Sequence, residues 1–175
     1  MKIIHFTFII LLSLFVTSCG TVQVSTDYDR SANFATYKTY SFHQKGLDKL
    51  KVNDLDKNRL IAAIDAQMAA KGFTKVNTDA DLVINLLTSS KEQISVNNNN
   101  WGYGPYGYYG GYYGNSVSSY QAGTIVLDIV DDKRNVLVWQ GVGSDLNLSN
   151  ISAKAERIPK AIEEILAKFP PQAKQ

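Results

Sequence analysis

Apolar and polar positions along this chain follow two different periods, and the switches between them mark its elements. Residues 36–42, Thr-Tyr-Lys-Thr-Tyr-Ser-Phe, are aromatic and β-branched and predict a strand, with Lys38, Tyr40 and Phe42 on one face and Tyr37 and Thr39 on the other. Asp81–Thr88 alternates with Leu82, Ile84 and Leu86 inward, and Ser89-Ser90 is expected to bend it before a second extended run over Glu92–Val96. Residues 123–142 read as a β-hairpin. Ile125, Leu127 and Ile129 share a face, 131–135 form the turn, and Leu137 and Trp139 share a face of the return strand. Thr21–Ser25 alternates only briefly, so 19–35 is either a tether or a first edge strand.

The period changes to 3.6 in two places. Over roughly 54–71, Leu60, Ile64 and Met68, with Ile61 beside them, form an apolar stripe. Asn53 or Asp54 can cap its start, Lys71 suits its negative end, and Gly72 stands where a positive φ is wanted. Near the C-terminus, Ile151, Ala155, Ile158, Ile162, Ile165 and Phe169 make a second stripe. Pro159 either kinks that helix or marks its true beginning, and Pro170-Pro171 stops it. Residues 43–53 are a polar connection around Gly46, and 172–175 a polar tail. The elements together predict an α+β fold: an antiparallel β-sheet with two amphipathic helices packed on one face.

The first eighteen residues belong to no such pattern. Lys2 precedes an apolar run from Phe6 to Val16, too short to span a bilayer comfortably and of the length of a signal-peptide core. It ends in Val16-Thr17-Ser18-Cys19, which resembles the lipobox of bacterial lipoproteins. The resemblance implies cleavage before Cys19, acyl lipid on that cysteine, and anchoring to a membrane. Gly20, in place of an aspartate, points by the same resemblance to the outer membrane, with the domain facing the periplasm or the cell surface.

Residues 97–116, NNNNWGYGPYGYYGGYYGNS, have no hydrophobic period and are expected to form a loop insertion between strands. Seven of the ten tyrosines lie between Tyr103 and Tyr120. Trp101, Tyr103, Tyr106, Tyr108, Tyr109, Tyr112 and Tyr113 make a candidate binding surface for a glycan or cell-wall polymer, since each offers an apolar face with a polar handle. The plainer reading is a tolerated low-complexity hairpin insertion, and self-association through the same residues is a third.

Composition narrows the chemistry. Removing 1–18 from the 175 residues leaves 157, enough for one core, and takes away only Lys2, so the formal charge falls from +2 to +1. Charges of both signs are interspersed, unlike a nucleic-acid-binding surface. Cys19 is the one cysteine, and His43 the one histidine after processing. A His/Cys metal site and a Ser-His-Asp triad therefore lack parts, and His43 reads as a strand-end residue. The glycine-rich tract lacks the order of a phosphate loop. Gly141-Val142-Gly143 is a glycine pair in a strand. Asp128 reads as a solvated strand residue, Asp131-Asp132 as turn and Glu163-Glu164 as solvated helix face. No catalytic residue, metal or cofactor is called for.

Several stretches resemble one family in order and spacing: Tyr37-Lys38-Thr39-Tyr40, Lys71-Gly72-Phe73, Ala80-Asp81-Leu82, Gly123-Thr124, Leu127–Asp131, Val138-Trp139-Gln140-Gly141 and Phe169-Pro170-Pro171. They are similar to the DUF4136 domain of bacterial lipoproteins over about 22–171, with Gln140 where that pattern has an arginine. The resemblance implies an envelope-facing α+β domain and carries over no catalytic or ligand residues. The expected function is a membrane-anchored, non-enzymatic structural or interaction domain with an envelope protein or polysaccharide as partner. Polymer binding through the aromatic loop is the alternative.

Overall fold

The computed structural model describes residues 22–97, 116–148 and 150–171, with the side chains of 92–97 and 116–121 left aside. Cys19, the leader, the aromatic residues 101–113 and the tail lie outside the described residues.

The strands are β1 (Gln23–Tyr28), β2 (Thr39–Phe42), β3 (Thr74–Lys75), β4 (Leu82–Asn97), β5 (Ser116–Asp131) and β6 (Val136–Asn147). The helices are α1 (Gln44–Asp48), α2 (Asp54–Ala70) and α3 (Ile151–Leu166). The strands form one six-stranded sheet in the order β1-β6-β5-β4-β2-β3. The alternating run after Cys19 is thus an edge strand, β1, pairing with β6 from Gln23↔Ser144 to Tyr28↔Trp139.

The sheet is mixed, which corrects the antiparallel expectation. β1, β6, β5 and β4 are antiparallel, but β2 runs parallel to both β3 and β4. The cause is α2: a helix between two strands carries the chain back to its starting end, so the next strand enters in the same direction. The Asp81 carboxylate fixes this junction, accepting from the backbone N–H of Lys38 and of Thr39 at 2.9 and 3.0 Å. Chiefly through the Lys38 N–H, it stays below the usual carboxylate range.

α2 and α3 cover one face of the sheet. Leu60, Ile64 and Met68 of α2 meet Leu82, Ile84 and Leu86 of β4 and Ile125, Leu127 and Ile129 of β5 in one core. Asn53 caps α2, accepting from Asp56 N–H at 2.9 Å, and Gly72 adopts φ +84° just past Lys71. At the turn end of the sheet Phe169 packs on Trp139, Phe73 and Phe34, with centroids 5.3, 5.6 and 6.0 Å away.

Several local expectations change. β4 is continuous through Ser89-Ser90, because every residue from Leu82 to Asn97 has a partner on β5. That ladder closes at Asn97↔Ser116, so the connection is 98–115 rather than 97–116. Leu137 and Trp139 do not share a face: an irregularity between Ile129↔Trp139 and Val130↔Leu137 buries Val138 and Trp139 and leaves Leu137 46% exposed. The strand over 36–42 begins only at Thr39. A 3-10 turn at Phe34–Thr36 precedes it, so Tyr37 is buried and Lys38 exposed, against the alternation. α3 runs through Pro159 without ending, but its stripe starts at Ile158, since Ile151 and Ala155 lie in turns that overhang the sheet and are exposed. The 43–53 connection contains α1, whose Leu47 enters the core.

Candidate functional site

Two places concentrate polar chemistry, one at each end of the sheet. At the turn end Asp131 closes β5. It accepts from Tyr37 Oη at 2.8 Å, from Arg134 Nε at 2.8 Å and from Arg134 N–H at 2.9 Å, while Arg134 also donates to Tyr37 Oη at 3.0 Å. Burial pushes the Asp131 carboxyl up, but these donors outweigh it and bring it to about 2. Burial and the same carboxylate raise Tyr37. The network ties the β5–β6 turn to the start of β2. Asp131 is a strand-end residue that locks a junction rather than a turn residue in solvent.

At the opposite end lies a half-open cavity of roughly 850 Å³. Its floor is the far part of the covered sheet face, formed by Leu86, Ile125 and Leu146, all buried members of the core. α1 and the segment after it form one wall through Leu50 and Val52, and the N-terminal halves of α2 and α3 form the other through Leu60 and Ile158. Among the described residues no Phe, Tyr or Trp lines it.

Asn53, Asn85, Thr88, Ser89, Ser90 and Thr124 give the cavity uncharged polar groups, and its charged groups are mostly basic. Lys45, Lys49, Lys51 and Lys154 line it against a single carboxylate, Asp56. Asp56 is buried and lies 2.6 Å from Arg59 Nη1 and 3.1 Å from Lys154 Nζ. Burial raises its carboxyl, but Lys154, Arg59 and Asn53 together hold it below the usual range. Among the described residues Lys45, Lys49 and Lys51 form no ion pair. The first turns of α2 and α3 both face this end, adding the positive ends of two helix dipoles. Thr88 Oγ1 is buried in the lining with no hydrogen-bond partner among the described residues.

Of the residues singled out in the sequence, His43 is exposed and lines the cavity beside α1. Asp128 is half-buried and accepts from Gln140 Nε2 at 2.7 Å across the open face of the sheet. Gly141 and Gly143 serve packing. Among the described residues no group of three or more His, Cys, Asp or Glu stands together as a metal site would require. Sequence reasoning missed the cavity because its lining comes from six elements, α1, α2, α3, β4, β5 and β6. The available signal was the basic spacing of Lys45, Lys49 and Lys51.

The chain belongs to the DUF4136 family, a domain of unknown function, whose pattern matches residues 24–171. No curated protein matches it in sequence. Among solved structures it is similar to a PDZ domain protein from Parabacteroides distasonis, with a TM-score of 0.52 and 13% identity, over 86% of this chain and 36% of that one. It is also similar to PelC from Paraburkholderia phytofirmans, a dodecamer, with a TM-score of 0.52 and 14% identity, over 87% of this chain and 99% of that one. The chain thus spans about a third of the first and nearly all of the second, and at this identity the likeness is one of fold.

Proposed function

We propose that this protein is a lipid-anchored cell-envelope domain that binds rather than catalyses. In this reading residues 1–18 are removed, Cys19 carries acyl lipid, and the domain stands on the outer membrane, facing the periplasm or the cell surface. The observation that carries it is the position of β1. The sheet begins at Gln23, and Val22 is three residues beyond Cys19, a span of at most about 10 Å. A lipid on Cys19 therefore holds the domain against the bilayer surface. Two or three chains suffice for a lasting anchor, at roughly 0.8 kcal/mol for each buried CH₂. A binding role is supported by the buried carboxylates Asp56 and Asp131, both ionised and engaged in closed networks, which leaves neither placed to exchange a proton with a substrate. Metabolic labelling with a fatty-acid analogue tests the anchor. Cys19→Ser should lose the label and retain the leader, and equal labelling of the variant would refute the reading.

A second reading, polymer binding through Trp101, Tyr103, Tyr106, Tyr108, Tyr109, Tyr112 and Tyr113, is supported by where that segment is attached. Beyond Lys91 and Ala122 the β4–β5 ladder continues without β6, so 98–115 joins the tip of a two-stranded ribbon. Binding to isolated cell-wall and outer-membrane polysaccharide, lost only when 98–115 are removed, would establish it.

A further inference from the structure

We propose that the cavity at the far end of the sheet binds one acyl chain bearing an anionic head, the chain against Leu50, Val52 and Leu148 and the head among Lys45, Lys49 and Lys51. Three features select this chemistry. The apolar part of the lining is aliphatic, with no Phe, Tyr or Trp among the described residues, and suits a flexible hydrocarbon better than the face of a sugar. Its charged lining is four lysines against one aspartate, although the whole chain has a formal charge of only +2. Lys154 is already engaged by Asp56, which leaves the three α1-side lysines for an anion, with Asp48 and Asp54 outside the lining. Thr88 Oγ1 is buried in the lining without a partner and offers a hydroxyl to a polar atom of the head.

The position of the cavity agrees with this assignment, a point that rests on the proposed anchor. β1 runs antiparallel to β6, with Gln23 opposite Ser144, so the chain leads back toward Cys19 at the end of the sheet where Leu146 and Leu148 line the cavity. Anchor and lysines then sit at the same end of the domain, and the attraction of those lysines for anionic headgroups adds to the tether.

The test uses the mature chain, residues 19–175 with Cys19→Ser, since the described fold lies within 22–171. cis-Parinaric acid, a fluorescent fatty acid, should bind saturably, and oleate should displace it. Substituting Lys45, Lys49 and Lys51, all exposed, by Glu should weaken the acid by about tenfold or more, while parinaric methyl ester is little changed. Thr88→Phe, which fills the cavity, should abolish both, with near-ultraviolet circular dichroism verifying that the variant is folded. Vesicles of phosphatidylglycerol carrying a parinaroyl chain distinguish the sources: transfer from them assigns a membrane lipid, and binding of the free acid alone assigns a free fatty acid. No saturable binding by the folded protein, or binding unaltered by both variants, overturns the proposal. Because this protein carries no lipid, that failure leaves the anchor untouched, and loss of the anchor leaves this binding in place.

Discussion

The far edge of the Trp139 indole occupies the space that a Cβ on Gly141 would need, two residues along the same face of β6. Ile165 of α3 closes the rest, with its Cγ2 2.7 Å from that point, and its Cδ1 stands 2.6 Å from the corresponding point on Gly143. The two glycines make a trough in the sheet into which α3 settles, and Trp139 lies flat along it. Gly141→Ala should therefore destabilise the protein by about 1–3 kcal/mol through overpacking. Urea unfolding measures this, and a variant as stable as the parent would show that the trough is not needed.

Trp139 is 1% exposed and packs on Phe169. Trp139→Ala should cost about 3–5 kcal/mol, the range for removing a large buried aromatic. A loss under about 1 kcal/mol in denaturant unfolding would place this face of β6 outside the core.

The Asp131 network makes stability depend on acid. The folded carboxyl titrates at about 2 and an unfolded aspartate at about 3.9, so the folded state favours the ionised form. That contribution is complete above the unfolded value and disappears as pH falls from about 4 through about 2. Asp56 and Asp81 are lowered as well and act in the same direction. Melting temperature should drop steeply over this interval, and less steeply in Asp131→Asn, which starts from a lower stability at neutral pH. Parallel curves for the two proteins would remove Asp131 from the explanation.

Residues 98–115 should be replaceable by a short Gly/Ser turn without loss of the fold. Asn97 and Ser116 are already direct partners, so two to four residues close the hairpin. Loop entropy changes by only about 0.6 kcal/mol per doubling of length, which makes the shortening nearly neutral. Thermal or urea unfolding of both forms is the measurement. A loss above about 2 kcal/mol would mean that the tyrosines cover part of the sheet.

The elements that could be read from sequence are those whose signal is local. The stripe Leu60–Ile64–Met68, the cap at Asn53, the positive φ at Gly72 and the inward sets of β4 and β5 follow from side-chain period and backbone sterics, and the structure has them at those residues. The expectation of an antiparallel sheet misses the parallel β2–β4 pairing, although the strand–helix–strand succession 36–42, 54–71 and 81–88 implies it: a crossover helix returns the chain to the same end.

Amino-acid order by itself determined the two long helices, most of the strands, most inward faces and the match to a family, because each depends on neighbours within a turn of helix or a few strand residues. Tertiary structure alone decided the rest. The irregularity beside Trp139 depends on β6 meeting β5, and the exposure of Ile151 on where α3 overhangs the sheet. The buried Asp131 needs Tyr37, which lies 94 residues away. The cavity exists because α1 and the first turns of α2 and α3 stand apart over the far end of the sheet, and α1 with the segment after it brings lysines to the rim. No local period encodes that distance: it follows from how far each element extends once all are packed on the same face.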